Sequence, residues 1–246
     1  MAGPIVRVAD DTAGVAQLAA DVVEATIRQK PNAVFAMPTG RTPVPLYREL
    51  ARRYQDGRLD FSKTRVFNLD EWVGVASDDD GSFAQFMNEH FYSRVNVPPY
   101  QRAIPNALAM DLDAECRHYE ELIQAAGGLD LAILGLGGNG HIGFNEPGTS
   151  FQSHTHVVEL MPETLAANRF MFANREPPNR GLSMGIATIL EARRVLMLVT
   201  GGEKASILAC ALNGPIDESV PASALQRHPA VEVVVDRAAA GKLVVG

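Results

Sequence analysis

Gly135, Gly137, Gly138 and Gly140 run straight into His141, and Glu146 follows five residues later. Glycines let a backbone turn sharply and bring its N–H groups close to a ligand, and Gly137 stands at the centre of the run. A histidine titrates near neutral pH, so His141 and Glu146 form a proton-transfer pair beside an anion-friendly backbone. A loop that only has to turn needs neither residue, so the segment predicts an enzyme. Gly135-x-Gly137-x-x-Gly140 also spells the dinucleotide fingerprint, which must open a helix that carries the pyrophosphate at its N-terminus. Here Asn145-Glu146-Pro147-Gly148 interrupts the chain first, so no nicotinamide cofactor is expected.

Three further loops offer chemistry. In Met37-Pro-Thr-Gly-Arg-Thr-Pro43, the N–H groups around Gly40, Arg41 and Thr42 and the hydroxyls of Thr39 and Thr42 suit a phosphate. A plain turn with Thr42 as helix cap is the competing reading. Arg169 and Lys204 supply cations; they make a phosphate clamp only if the fold brings them to the Thr39 loop, since solvated charge is the default for either alone. Asp70 and Glu71 stand beside Trp72, where one carboxylate could take a proton from a carbon next to a carbonyl. His154 and His156 alternate on a strand and do not make a metal site by themselves. No metal or organic cofactor is expected.

These loops need a frame. Leu129 to Leu134 reads as a buried strand feeding the glycine loop, and Ala33–Met37, Thr64–Leu69, Arg194–Thr200 and Val231–Asp236 read likewise. His154 to Leu160 alternates like a half-exposed strand. Helical patterns cover Thr12–Lys30, a segment from Thr42 with Pro43 at its first position, Ser82–Val95, Leu112–Ala126, Pro162 to about Phe172, and Lys204–Leu212. Strands alternating with helices predict an α/β fold: a doubly wound, mostly parallel sheet flanked by helices on both faces, a Rossmann-like single domain over residues 1–246. In such sheets ligands bind at strand C-terminal ends, where all four loops fall.

A chain of 246 residues with nearly half of them apolar can build a large core. Its net charge of −7 without a Lys/Arg cluster argues against a general nucleic-acid binder, while local cations can still hold an anionic small molecule. No apolar stretch reaches membrane-spanning length, and Met1 to Val8 lacks a signal peptide's pattern. Cys116 and Cys210, far apart and without metal-ligand spacing, fit reduced thiols in a cytoplasmic protein.

Taken together the loops resemble the glucosamine-6-phosphate deaminase family, within the wider group that includes 6-phosphogluconolactonases. The resembling segments are residues 37–43, Phe67-Asn-Leu-Asp-Glu-Trp-Val-Gly74, Gly135 to Ser150, Ala167-Asn-Arg169, Gly181-Leu-Ser-Met-Gly185 and Val199-Thr-Gly-Gly-Glu-Lys204. They run through most of the chain in family order. Gly-His-Ile-Gly-Phe-Asn-Glu-Pro favours the amino-sugar branch, because the lactonases usually follow Gly-His with a Ser-Leu-Phe-Pro type segment. The resemblance implies that His141 opens the sugar ring, that Glu146 orients and charge-balances the imidazole, and that Asp70 moves a proton from carbon 2 to carbon 1. It implies that Thr39 to Thr42, Arg169 and Lys204 hold the phosphate of a sugar-phosphate substrate.

Two residues depart from the family pattern. Asn139 stands where the deaminases usually carry Asp; it can position His141 by hydrogen bonding but not by charge. Asn-Gly-His also resembles galactosamine-6-phosphate deaminase/isomerases, which keeps that epimer open as substrate. Arg41 stands where Gly is common, and could join the phosphate clamp or fill space. The hexameric, allosterically activated members use Ser, Arg and Lys where this chain has Thr149, His156 and Val158. With the long C-terminal extension also missing, the resemblance implies a monomer without such activation.

Overall fold

The computed structural model describes residues 3–172 and 175–243; Met1 and Ala2 of the segment read for a leader lie outside them. In chain order the elements are β1 (Ile5–Ala9), α1 (Thr12–Gln29), β2 (Val34–Met37), α2 (Val44–Gln55), β3 (Arg65–Asn68), β4 (Asp70–Trp72), α3 (Phe83–His90), β5 (Arg102–Ala103), α4 (Leu112–Ala125), β6 (Leu131–Gly135), β7 (His156–Glu159), α5 (Pro162–Asn168), β8 (Arg180–Ser183), α6 (Ile186–Leu190), β9 (Val195–Val199), α7 (Ala205–Asn213) and β10 (Val231–Asp236). Side-chain caps open several helices. Asp11 accepts from Gly14 N–H at 2.8 Å at the start of α1, and Asp111 accepts from Ala114 N–H at 2.9 Å at α4.

Seven strands form one parallel sheet in the order β1-β10-β9-β6-β2-β3-β5. The central strands β2, β6 and β9 are buried on both faces, so they are apolar throughout rather than alternating. Successive residues divide between two cores. Phe35, Met37, Leu131, Ile133, Leu196 and Leu198 face α1 and α2, whereas Val34, Ala36, Ala132, Leu134, Val195 and Met197 face the side of α4 and α7. This is the doubly wound α/β arrangement the pattern of strands and helices predicts.

The chain passes from β2 outward to β3 and β5, then returns to place β6 on the other side of β2. The loops leaving β2 and β6 therefore diverge, and a crevice opens between them at the sheet's C-terminal edge. A second, antiparallel sheet, β4-β8-β7, stands over that edge, with Asp70 paired to Ser183 and Ser183 to His156. Trp72 holds it in place: its ring packs 4.8 Å from Phe144 and 5.2 Å from Phe172, inside a third apolar cluster with Phe83 and Leu160.

Several elements differ from expectation. Thr42 does not cap α2: the helix begins at Val44 after Pro43, with no side-chain cap, which leaves the Thr42 hydroxyl uncommitted. Asp70 and Glu71 do not close β3 but open β4. The helix expected over Ser82–Val95 ends at His90, and a 3-10 turn follows at Tyr92–Arg94. The helix expected to reach Phe172 changes to a 3-10 turn at Arg169. β1, β5, β8 and α6 were not anticipated; all four have five residues or fewer, and β1 lies at the sheet edge with Ile5, Val6 and Val8 exposed. Among the described residues no helix is long and apolar enough to cross a membrane.

Candidate active site

The crevice is a cleft of about 480 Å³. The loop after β2 (Pro38 to Pro43), Asp70, the glycine loop with His141, Asn168 at the end of α5, Phe170 just beyond it, and Lys204 after β9 all line it. Four loops remote in sequence meet because all leave strands at one edge or stand over that edge.

One end is built for an anion. Gly40 adopts φ +97°, a left-handed conformation that side chains resist, and so turns the loop back on itself. Among the described residues, none of the N–H groups from Thr39 to Thr42 donates to a backbone or side-chain acceptor. Lys204 lines the same cleft; its Nζ would lie 4.0 Å from a Cβ on Gly138 in the glycine loop. Burial holds its ammonium below the usual lysine range, with the nearby Glu203 charge acting in the opposite direction. Lys204 forms no ion pair among the described residues, so no carboxylate is bonded to the half-buried ammonium, although Glu203 lies near enough to act on it. Arg41 also lines the cleft, its guanidinium 4.3 Å above the Phe170 ring.

Arg169 is not brought to the anion end. Its Nη2 lies 2.5 Å from Glu176 Oε1, and both side chains are exposed. It opens a 3-10 turn, in which neighbouring side chains diverge, and it is Phe170 that turns to the cleft. Of the residues expected to form a clamp, Thr39–Thr42 and Lys204 line the cleft, as does Arg41, and Arg169 does not.

The middle of the cleft holds Asp70. Strand alternation separates it from Glu71. Glu71 turns away and accepts the N–H groups of Trp72, Phe83 and Ala84 at 2.9, 2.9 and 3.0 Å, tying β4 to the start of α3. Burial pushes the Glu71 carboxyl up to about 7, against those three hydrogen bonds. Asp70 is only 6 % exposed yet lines the cleft, and no donor serves its carboxylate among the described residues. Burial, then the neighbouring Glu71 charge, raise its pKa well above the usual aspartate range. A desolvated carboxylate without donors is a stronger base than one in water. Of the two adjacent acids, the geometry makes Asp70 the candidate base and Glu71 a structural cap.

His141 stands across the cleft. Its Nδ1 lies 2.8 Å from Asn139 Oδ1, while Asn139 Nδ2 donates to Glu146 Oε2 at 2.7 Å. An amide nitrogen must face the carboxylate, so the amide oxygen faces the ring, and Nδ1 carries the hydrogen. Nε2 is then the bare, basic nitrogen. That edge of the ring lies over Gly137, where a Cβ would come within 2.3 Å of Nε2. Gly137 is required here as space for the imidazole, in addition to any contact with substrate. Gly143 and Gly181 serve packing of the same loop: a Cβ on Gly181 would meet Phe144 at 2.4 Å.

Glu146 is 3 % exposed and 3.6 Å from His141 Nδ1. Burial raises its pKa, but bonds from His141, Thr164 and Asn139 outweigh that and bring it down to about 2. Met161 N–H adds a fourth contact, at 3.1 Å to Oε1. The Glu146 charge acts on the imidazole directly, from 3.6 Å, and through the Asn139 amide. Thr164, Met161, Asn168 and Phe170 were missed by sequence reasoning. Thr164 lies 23 positions from His141 in the chain, and nothing local marks it; only the packing of α5 brings it there. Among the described residues no group of three or more His, Cys, Asp or Glu could hold a metal ion.

Residues 9–235 match the family described as glucosamine-6-phosphate isomerases/6-phosphogluconolactonase. The chain is 44% identical over 239 residues to a protein of Clostridioides difficile (strain 630) named glucosamine-6-phosphate deaminase, covering 97% of this chain and 96% of that one. It is 46% identical over 227 residues to glucosamine-6-phosphate deaminase 1 of Bacillus subtilis (strain 168), covering 92% and 94%. Among solved structures, one described as a monomeric glucosamine-6-phosphate deaminase superposes with a TM-score of 0.93 at 43% identity, over 97% of this chain and 99% of that one. The 6-phosphogluconolactonase of Thermotoga maritima superposes with a TM-score of 0.75 at 22% identity, over 95% and 99%, a likeness of fold alone. The chain belongs to the family of glucosamine-6-phosphate isomerases and 6-phosphogluconolactonases.

Proposed function

We propose that this chain is an amino-sugar-phosphate deaminase/isomerase that converts glucosamine 6-phosphate and water to fructose 6-phosphate and ammonia. The observation that carries this reading is the cleft itself. A lysine without an ion pair and a loop of free N–H groups line it, together with an Asp70 that no donor serves and the His141–Asn139–Glu146 relay. Deaminase names on relatives at 44% and 46% identity favour glucosamine 6-phosphate over its galacto epimer and over a lactone.

Thr39–Thr42, Lys204 and Arg41 hold the phosphate and so fix the reacting end of the sugar. His141 Nε2 takes the proton of the anomeric hydroxyl and returns it to the ring oxygen as the ring bond breaks, leaving the open aldehyde. Asp70 removes the proton from carbon 2 and delivers it to carbon 1, while the nitrogen gives up one proton and the aldehyde oxygen takes one up, so that aldehyde and amine become an alcohol and an imine. Water adds at carbon 2, ammonia leaves, and the ketose phosphate remains. Glu146 keeps its charge throughout and steadies the imidazolium through Asn139. We read residues 1–246 as one functional domain acting as a monomer in the cytoplasm.

The test is ammonia release, coupled to glutamate dehydrogenase, from glucosamine 6-phosphate and galactosamine 6-phosphate in parallel. Release with the larger kcat/KM for the gluco sugar is expected. A larger value for the galacto sugar would reverse the epimer, and no release from either would overturn the deaminase reading.

A further inference from the structure

We propose that Thr164 is a positioning residue of the ring-opening step, holding His141 in the Nδ1–H form from a helix that also reaches the mouth of the cleft. Its Oγ1 lies 3.2 Å from His141 Nδ1, and the side chain is fully buried, at 1 % exposure. The ring nitrogen already carries a hydrogen directed to Asn139 Oδ1, so the Thr164 hydroxyl cannot donate to it. The hydroxyl oxygen instead accepts a share of that N–H, and its own hydrogen is then free for the Glu146 carboxylate, whose Oε2 lies 3.6 Å from the same ring nitrogen. One hydroxyl therefore spans imidazole and carboxylate, in parallel with the Asn139 amide.

The arrangement closes a ring of four groups: Asn139, His141, Thr164 and Glu146. Asn139 comes from the glycine loop, but Thr164 and the Met161 N–H come from the start of α5. Seven residues of helix span about 10 Å. Asn168 at its far end and Phe170 just beyond it line the cleft, where Phe170 lies under Arg41. α5 thus touches the relay with one end and the anion side of the cleft with the other. A group that only filled space would need no hydroxyl here. Thr164 has both a donor and an acceptor in use, and deleting the hydroxyl leaves Glu146 one hydrogen bond short in a buried site.

This inference rests on the deaminase reading for its kinetic part alone. Thr164→Val keeps the shape and removes the hydroxyl; Thr164→Ser restores the hydroxyl and removes a methyl group. The expected result for Val is a fall in kcat of about 10- to 100-fold, the range for a lost hydrogen bond to a charged group, with KM within about twofold. Serine is expected to recover kcat to within a few-fold. Imidazole nitrogen-15 shifts of His141, measured on unliganded protein, should report one tautomer, Nδ1–H, in the parent and in Ser, and a tautomer mixture in Val. If Val does not fold, Thr164→Ala takes its place in the comparison with Ser. Equal loss in Val and Ser, or a single Nδ1–H tautomer in Val, would overturn the proposal. If the parent chain releases no ammonia, the deaminase reading fails, and the nitrogen-15 comparison still decides the role of Thr164.

Discussion

The Asn139 side-chain oxygen lies 2.8 Å from Nδ1 of His141, and an amide oxygen can only accept. This contact, together with the Thr164 hydroxyl at 3.2 Å, directs the hydrogen to Nδ1, while the Glu146 carboxylate stands farther off, 3.6 Å from the same nitrogen. An Asp at this position would set a second carboxylate beside Glu146, where the Asn139 nitrogen now lies 2.7 Å from Oε2. The Asn therefore lets Glu146 remain the single charge of the relay.

Replacing Asn139 by Leu keeps the volume and removes both hydrogen bonds. Turnover of glucosamine 6-phosphate should fall about 10²- to 10³-fold, within the usual contribution of a positioned acid–base group, while KM changes little. Steady-state kinetics check this, and an unchanged kcat would show that the tautomer is set elsewhere.

Asp70 carries a cost that the fold bears for reactivity. Its folded-state pKa is raised by burial, so its ionisation opposes folding increasingly as pH rises above the unfolded aspartate value. Asp70→Asn should abolish turnover and yet raise Tm by about 2–6 °C at pH 8, with a smaller gain at pH 5. Calorimetry at the two pH values measures the difference; a Tm that falls equally at both would contradict the burial argument.

Glu146 has the opposite sign. Its carboxyl is held at about 2 against an ordinary 4.5, so the linked stability is full above pH 4.5 and is lost as pH falls toward 2. The amount is on the order of 3 kcal/mol. Denaturant midpoints measured from pH 6 down to pH 2 should show a steeper decline for the parent chain than for Glu146→Gln.

Gly137 has no left-handed φ, so alanine there causes no backbone strain. Its Cβ would instead come within 2.4 Å of three atoms of the His141 ring. Gly137→Ala should displace the imidazole and lower kcat by about 100-fold, with far less effect on Tm. Wild-type kcat in this variant would place the reacting nitrogen elsewhere.

On the proposed reading Lys204 serves binding rather than turnover. Lys204→Met should raise KM for the sugar phosphate about 10- to 100-fold with kcat nearly kept, and should leave the weak affinity for unphosphorylated glucosamine unaltered. Isothermal titration with inorganic phosphate offers a second readout, with binding weakened in the variant.

The apolar runs at Val34–Met37, Leu131–Leu134 and Val195–Val199 were legible as strands because burial on both sheet faces leaves no polar position in them. Local composition served less well elsewhere. β8 and α6 lack a clear period over four or five residues, and Thr42 looks like a helix cap until Pro43 takes that place. Arg169 shows the same limit: a cation in a suggestive segment is a ligand only if its turn points it inward, and here it points to Glu176.

What the sequence by itself determined is the chemistry available: glycines for close approach, His141 and Glu146 on one loop, an acid pair at Asp70 and Glu71, and the alternation that builds a parallel sheet. The tertiary structure decided the assignments. Strand alternation turned Asp70 to the cleft and Glu71 to the start of α3, and the crossing from β5 back to β6 brought the Thr39 and His141 loops together. The packing of α5 set Thr164 against His141 and Glu146. Side-chain direction and contacts between distant segments depend on how elements pack, and no local spacing in the chain encodes them.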